Sequence, residues 1–122
     1  MKISEIISND TKPSSIGKYL TEEGSCAWGA VLEFNVPGIN FENSKDFDLY
    51  RFFLDKHKEN IELDKINEVL FLNNISERFT IEHDIFGDSF SYLSLYELVV
   101  RLNDKLKLNK KQIGTILEQL GF

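Results

Sequence analysis

Ile113, Ile116, Leu117 and Leu120 fall at i, i+3, i+4 and i+7, the spacing that lines one face of an α-helix. Asn109 stands just ahead of this stripe and Gln112 follows it by three residues, the reciprocal pattern of a capping box. Gly121 occupies the usual left-handed stop. A segment with start, face and stop signals together must present an amphipathic helix, and the rest of the chain must supply the core it packs on. Leu95, Leu98, Val99, Leu102 and Leu106 repeat the spacing one segment earlier, with Ser91 or Ser94 as the starting cap. Tyr92, Tyr96 and Val100 widen that stripe, which predicts a central helix with neighbours on more than one face. Lys105-Leu106-Lys107-Leu108 leaves only a tight connection between the two.

The earlier segments follow the same rule. Ser4 caps a short helix with Ile3, Ile6 and Ile7 on one edge, ended by Ser8-Asn9-Asp10-Thr11. Ser14 or Ser15 starts a second, carrying Ile16, Tyr19 and Leu20 and closing at Glu22-Glu23-Gly24. Ser44 caps a third, with Phe47, Tyr50, Phe53, Leu54 and His57 in register. Another begins near Glu62 with Leu63, Ile66, Val69, Leu70 and Asn73. Phe79, Ile81, His83 and Ile85 alternate with polar residues before Phe86-Gly87-Asp88, which reads as a short strand or hairpin. Two patterns compete from Cys26 to Phe41. Ala27, Ala30, Val31 and Phe34 are helically spaced, whereas Trp28, Ala30, Leu32, Phe34 and Val36 alternate up to Pro37-Gly38 as a hairpin would. Gly29, lacking a side chain, is a point where another backbone can approach.

A length of 122 residues fits one domain, residues 1–122, and 42% hydrophobic content with ten Phe excludes the disordered class. One cysteine cannot form an internal disulfide. Met1-Lys2-Ile3-Ser4-Glu5 breaks to polar Ser8-Asn9-Asp10 too soon for a signal peptide, and no apolar run approaches the roughly 20 residues of a membrane helix. The expectation is a soluble cytoplasmic protein. The net charge of −6 is divided as −3 over residues 1–42, −5 over 43–90 and +2 over 91–122. Phosphate-rich partners are disfavoured by the whole, though not by the last third.

Residues able to carry chemistry are few. Cys26 needs a base in hydrogen-bond reach to act as a nucleophile, and nothing in the spacing brings His57 or His83 to it. The expectation is a small buried residue, with no catalytic role. Glu82-His83-Asp84 offers metal-ligand types, but adjacent strand residues face opposite ways and no second cysteine or helical histidine pair supports them. The scattered glycines match neither phosphate-loop pattern, so no cofactor is expected. Asp46 and Asp48 suit the start of a solvated helix. Two surfaces remain as candidates for binding. Asp55, Glu59 and Glu62 form an acidic stretch suited to a basic protein. Lys105, Lys107, Lys110 and Lys111 surround the last helical connection, with Lys110, Lys111, Thr115, Glu118 and Gln119 on the expected exposed face. That helix carries no arginine, which weighs against base readout.

Two motifs stand almost a chain length apart: Gly24-Ser25-Cys26-Ala27-Trp28-Gly29-Ala30, and Leu102-Asn103-Asp104 followed by Asn109-Lys110-Lys111-Gln112-Ile113-Gly114. Together they resemble a group of small uncharacterised bacterial and phage proteins with Cys-Ala-x-Gly-Ala early and Leu-Asn-Asp before a short terminal helix. Related sequences often have leucine where Trp28 stands, tryptophan where Leu108 stands and acidic residues near Lys111. The resemblance supplies no activity. It implies a short helix through Cys26–Phe34. Asn103 and Asp104, near a helix end, can hydrogen-bond the following turn or cap the next helix, and their surface is also open to a partner. The resulting expectation is a mainly α, compact single domain of five or six helices with room for one small β-hairpin. Its core is expected to include Trp28, Phe53, Leu70, Val99, Leu102, Ile113 and Leu117. The expected function is a non-enzymatic protein-binding or regulatory module of bacterial or phage origin. The alternative is nucleic-acid binding through residues 101–119.

Overall fold

The computed structural model describes residues 1–16, 20, 24–39, 57–83, 86 and 89–122. Among these residues the chain is mainly α, with five α-helices and two short antiparallel ladders. The helices are α1 (Ile3–Asn9), α2 (Ala27–Asn35), α3 (Leu63–Leu72), α4 (Leu95–Val100) and α5 (Lys110–Gln119), and a π-helical turn, Arg101–Lys105, extends α4. Strands β1 (Asn60–Glu62) and β4 (Tyr92–Ser94) pair with each other, as do β2 (Glu82–His83) and β3 (Ser89–Phe90).

Local signals explain most of these boundaries. The Asn109 side chain accepts from the Gln112 N–H at 2.8 Å while Gln112 returns a bond to the Asn109 N–H, so the capping box is complete. At the other end of α5, Gly121 adopts φ +98°, and the Phe122 N–H bonds the Leu117 carbonyl in a Schellman stop. Asn74, at φ 61°, closes α3 the same way, with the Ile75 N–H on the Leu70 carbonyl. Ser94 caps α4 by accepting from the Glu97 N–H at 3.1 Å. The segment from Ala27 is helical, which decides between its two patterns. Trp28, Leu70, Val99, Leu102, Ile113 and Leu117 all lie in the core; Phe53 is outside the described residues.

Several expectations need correction. Ser4 does not cap α1: it lies inside the helix, buried, and Lys2 occupies the cap position without a side-chain bond. Of the helix expected from Ser14 or Ser15, residues 17–19 and 21–23 lie outside the described residues, and the described Ser14, Ser15, Ile16 and Leu20 are not helical. Ser14 and Leu20 instead form isolated bridges with Ser25, because the Pro13 carbonyl and the Ser15 N–H bond the Ser25 backbone. Tyr92 belongs to β4, not to the stripe of α4. The helix expected from Ser44 to His57 falls outside the described residues up to residue 56. The hairpin near residues 79–92 is present as β2–β3.

The β1–β4 ladder has a structural task. Each strand runs directly into a helix, and the first N–H groups of a helix have no partner within it. Here Leu63 N–H bonds the Ser91 carbonyl at 2.8 Å, and Leu95 and Tyr96 N–H bond the Glu59 and His57 carbonyls at 2.7 and 3.1 Å. The ladder therefore caps α3 and α4 reciprocally with backbone.

Helices α1 and α5 pack unusually closely at Gly114. A Cβ built there would meet the Ser8 hydroxyl at 1.7 Å and the Ser4 carbonyl oxygen at 2.8 Å. The Ser8 hydroxyl can rotate aside, but the Ser4 carbonyl is part of the α1 backbone, so the helices would have to separate. Gly114→Ala is therefore expected to destabilise by about 1–3 kcal/mol through overpacking, outweighing the helix-propensity gain of about 1 kcal/mol. Urea unfolding followed by circular dichroism measures this; a midpoint at or above that of the parent chain would refute the close crossing.

Candidate functional site

The two sequence motifs meet in space. Asn103, only 4% exposed, lies on the π turn. Its Oδ1 accepts from the Ala27 N–H, the first of α2, at 3.1 Å, and its Nδ2 donates to the Ser15 carbonyl at 3.0 Å and to Asp104 Oδ1 at 2.7 Å. The π turn, closed by the Leu106 N–H on the Arg101 carbonyl, keeps the adjacent Leu102 and Asn103 both buried. Cys26 caps the same end of α2, its sulfur accepting from the Gly29 N–H at 3.3 Å. Trp28 donates from Nε1 to the Tyr96 carbonyl at 3.1 Å, and its ring lies 5.2 Å from that of His57. The expected capping role of Asn103 thus acts on α2, across 76 residues, and not on the helix that follows it.

Beside this junction lies a buried ion pair. Lys110 is 5% exposed, and its ammonium donates to the Asp10 carboxylate, to the Lys12 carbonyl at 2.9 Å and to the Ser25 hydroxyl at 2.9 Å. Ser25 in turn donates to Asp10 Oδ2 at 2.9 Å. All three ammonium hydrogens are satisfied. Gly24 makes the arrangement possible, because a Cβ there would sit 2.3 Å from the Pro13 carbonyl that holds the Ser25 N–H. Burial by itself raises the Asp10 pKa. Hydrogen bonds from Lys110, Ser25 and the Lys12 N–H outweigh it and hold the carboxyl below its ordinary value.

This geometry corrects the expected place of Lys110. From the sequence alone it is expected on the exposed face of the last helix, with Lys111, Thr115, Glu118 and Gln119. It is instead enclosed, because it stands one turn before Ile113 and Gly114 on the buried stripe. Lys105, Lys107 and Lys111 are exposed, with Lys107 at φ 55°. Asp104 is half-buried against Asn103. Glu59 and Glu62 are exposed around β1, and Asp55 lies outside the described residues. The acidic and lysine candidates thus sit on separate elements. What the sequence reading missed is the role of Asp10 and Ser25, which hold Lys110 from 100 and 85 residues away.

Chemically, the junction is committed to the fold. A Ser–Lys pair needs the amine to accept the serine hydroxyl proton, whereas here Lys110 Nζ donates to Ser25 Oγ and the Ser25 hydroxyl donates to Asp10. Ser25 is buried as well. Burial pushes the Cys26 thiol above its ordinary value, which disfavours the nucleophilic thiolate. A groove of about 340 Å³ between α1 and α2 shows Asp10 and Glu33 at its wall, but Lys110 and Lys12 neutralise them. Among the described residues no three His, Cys, Asp or Glu side chains gather to hold a metal ion, and no helix is long and apolar enough to cross a membrane. Asp84 of the Glu82-His83-Asp84 segment is outside the described residues.

The ion pair yields an ordered prediction. Removing one partner of a buried pair costs about 3–5 kcal/mol because the other charge is left behind. Asp10→Ala strands the more deeply buried ammonium. Lys110→Met strands a carboxylate that is 17% exposed and can recruit water, so Asp10→Ala should be the more destabilising of the two in urea unfolding. Because the folded Asp10 pKa is depressed, its stabilisation is fully present above the unfolded value of about 3.9 and is lost as pH falls through the lower folded value. Asp10→Asn should therefore show a shallower loss of stability between neutral and acidic pH; a slope equal to that of the parent would exclude Asp10 from the acid limb.

Asn103 yields another. Asn103→Asp keeps an acceptor for the Ala27 N–H but sets a carboxylate against the Ser15 carbonyl and Asp104. It should destabilise by about 2 kcal/mol or more, the scale of a lost buried hydrogen bond with an uncompensated acceptor. A near-neutral effect in thermal unfolding would show that this side chain does not join the motifs.

Comparison of the chain with protein-family models, with curated proteins and with solved structures finds no match.

Proposed function

We propose that the chain is a small, non-enzymatic protein-binding or regulatory module acting in the cytoplasm, of the bacterial or phage kind that its two motifs resemble. One observation supports this most directly. Helix α3 buries Leu63, Ile66, Val69 and Leu70, yet leaves Phe71 69% and Leu72 64% exposed at its end. Neighbouring large apolar side chains held outward by a well-packed helix favour contact with another protein. The polar groups of the junction also favour this reading over catalysis, because their hydrogen bonds are made within the chain.

Nucleic-acid binding through residues 101–119 is the second reading. Lys105, Lys107 and Lys111 are exposed and support it. It is weakened because Lys110 is turned inward and Arg101 is paired with Glu97 at 3.2 Å. The test is affinity capture of the tagged chain after cross-linking in its native host, beside a gel shift with duplex DNA. A single stoichiometric protein partner is the expected outcome. A salt-sensitive duplex shift abolished by reversing Lys105, Lys107 and Lys111, with no protein captured, would overturn it in favour of the second reading.

A further inference from the structure

We propose that the outward stripe of α3 docks an amphipathic helix of a partner protein, with apolar anchors at one end and Lys or Arg at the other. This rests on the protein-binding reading and names the surface and the partner chemistry. Asp64, Glu68, Phe71 and Leu72 stand at i, i+4, i+7 and i+8, so they share one face, and all four are exposed. The stripe is divided along its length. Its second half opens into a surface groove of about 500 Å³ lined by Phe71, Leu72, Asn74, Ile75, Ser76 and Arg78.

The groove has fixed walls. The Schellman stop at Asn74 turns the chain away directly after Leu72, and Ile75 is buried at the base. The Arg78 guanidinium lies 5.7 Å from the centre of the Phe71 ring, and it is tied down by bonds to the Ile75 and Glu77 carbonyls. The first half of the stripe carries the opposite chemistry. Asp64 and Glu68 are exposed, Glu62 precedes them, and none of the ion pairs among the described residues involves these three. Lys65 is the basic residue of α3.

Charge complementarity selects the occupant. At 1.5 Å rise per residue, Glu68 and Asp64 lie roughly 4 and 10 Å from Phe71 along the axis. A partner helix that seats apolar side chains in the groove therefore brings residues one to two turns away over these carboxylates. Lys or Arg there is attracted, and nucleic acid or an anionic lipid surface is repelled. A second copy fits poorly. Two-fold antiparallel pairing centred on α3 would cover Asp64 and Glu68 with the other copy's apolar groups, and pairing centred on Phe71 and Leu72 would leave the carboxylates of both copies with no basic partner.

The test uses the full chain and a labelled synthetic amphipathic peptide. The peptide has Leu at i, i+3 and i+4 and Lys one and two turns away; a scrambled peptide of the same composition is the control. Fluorescence anisotropy should show saturable, salt-sensitive binding that the scrambled peptide lacks. Phe71→Ser with Leu72→Ser should weaken it at least about tenfold, as expected for central apolar anchors. Asp64→Lys with Glu68→Lys should weaken it at low salt, and Glu5→Lys with Glu118→Lys, on exposed faces of α1 and α5, should leave it unchanged. All variants alter exposed positions, and circular dichroism confirms their fold. Absence of saturable binding overturns the proposal, as does equal binding of the scrambled peptide or equal loss in the Glu5 and Glu118 variant. It is also overturned if sedimentation shows a dimer that the Phe71 and Leu72 variant dissolves, or if nuclear Overhauser contacts join Phe71 to residues 44–56 of the same chain. If a captured host partner is retained by the Phe71 and Leu72 variant, the protein-binding reading stands and this surface alone is discarded.

Discussion

An ammonium group inside a small protein is tolerated only where each of its hydrogens finds an acceptor, and Lys110 imposes that condition on this fold. Its acceptors come from Asp10, Lys12 and Ser25, so the segment after α1, the start of α2 and the start of α5 must all arrive at one point. Apolar side chains would satisfy the same volume in many orientations. A buried lysine with three acceptors accepts very few. The neighbouring Asn103 works in the same way on the Ala27 N–H and the Ser15 carbonyl. Residues 10–16 are thereby strapped over the junction by side chains from both late helical segments. The Gly24 and Gly114 positions follow from this, because both let backbones come close enough for the polar bonds and the helix crossing to form.

The parts of this architecture that were legible in the sequence are those encoded within a few residues. Helix α5 was readable entire, since its cap, stripe and stop are all local: Asn109 with Gln112, Ile113 to Leu120, and Gly121. Helix α3 was readable because four apolar residues at helical spacing dominate a ten-residue element. The β1–β4 ladder was not, since three-residue strands are too short to show alternation and their paired residues are 30 to 34 positions apart. Ser4 is not the cap that a serine before an apolar edge usually is, because here its small size serves the crossing with α5.

The junction shows where local reading stops. Lys110 stands at i−3, i−4 and i−7 from Ile113, Gly114 and Leu117, squarely on the buried face, and that spacing was a usable signal. A charged residue at the first turn of a helix is nonetheless solvated in most proteins, and only Asp10 and Ser25, at far separation, reverse the balance. Asn103 also follows Val99 by four residues, on the core side of its helix, so its burial was half readable while its partners were not. The pairing of the two motifs in order along the chain therefore has a physical basis: one holds the donor at the start of α2, the other holds its acceptor.

The connection between α4 and α5 is held from both sides, and this bears on the lysines around it. Lys107 adopts φ 55°, a left-handed conformation that costs a non-glycine residue about 1–2 kcal/mol. Such strain persists only where the surroundings over-determine it. On one side the π turn ends with the Leu106 N–H on the Arg101 carbonyl and the Leu108 N–H on the Leu102 carbonyl, and Leu102 is fully buried. On the other, the Asn109–Gln112 capping box fixes the first turn of α5, whose Lys110 is anchored in the core. A corner clamped in this way keeps Lys105, Lys107 and Lys111 at fixed positions on a rigid mount. Their charge is presented to solvent by the same constraints that draw Lys110 inward, so the division between surface lysine and core lysine is set by backbone geometry and not by residue type.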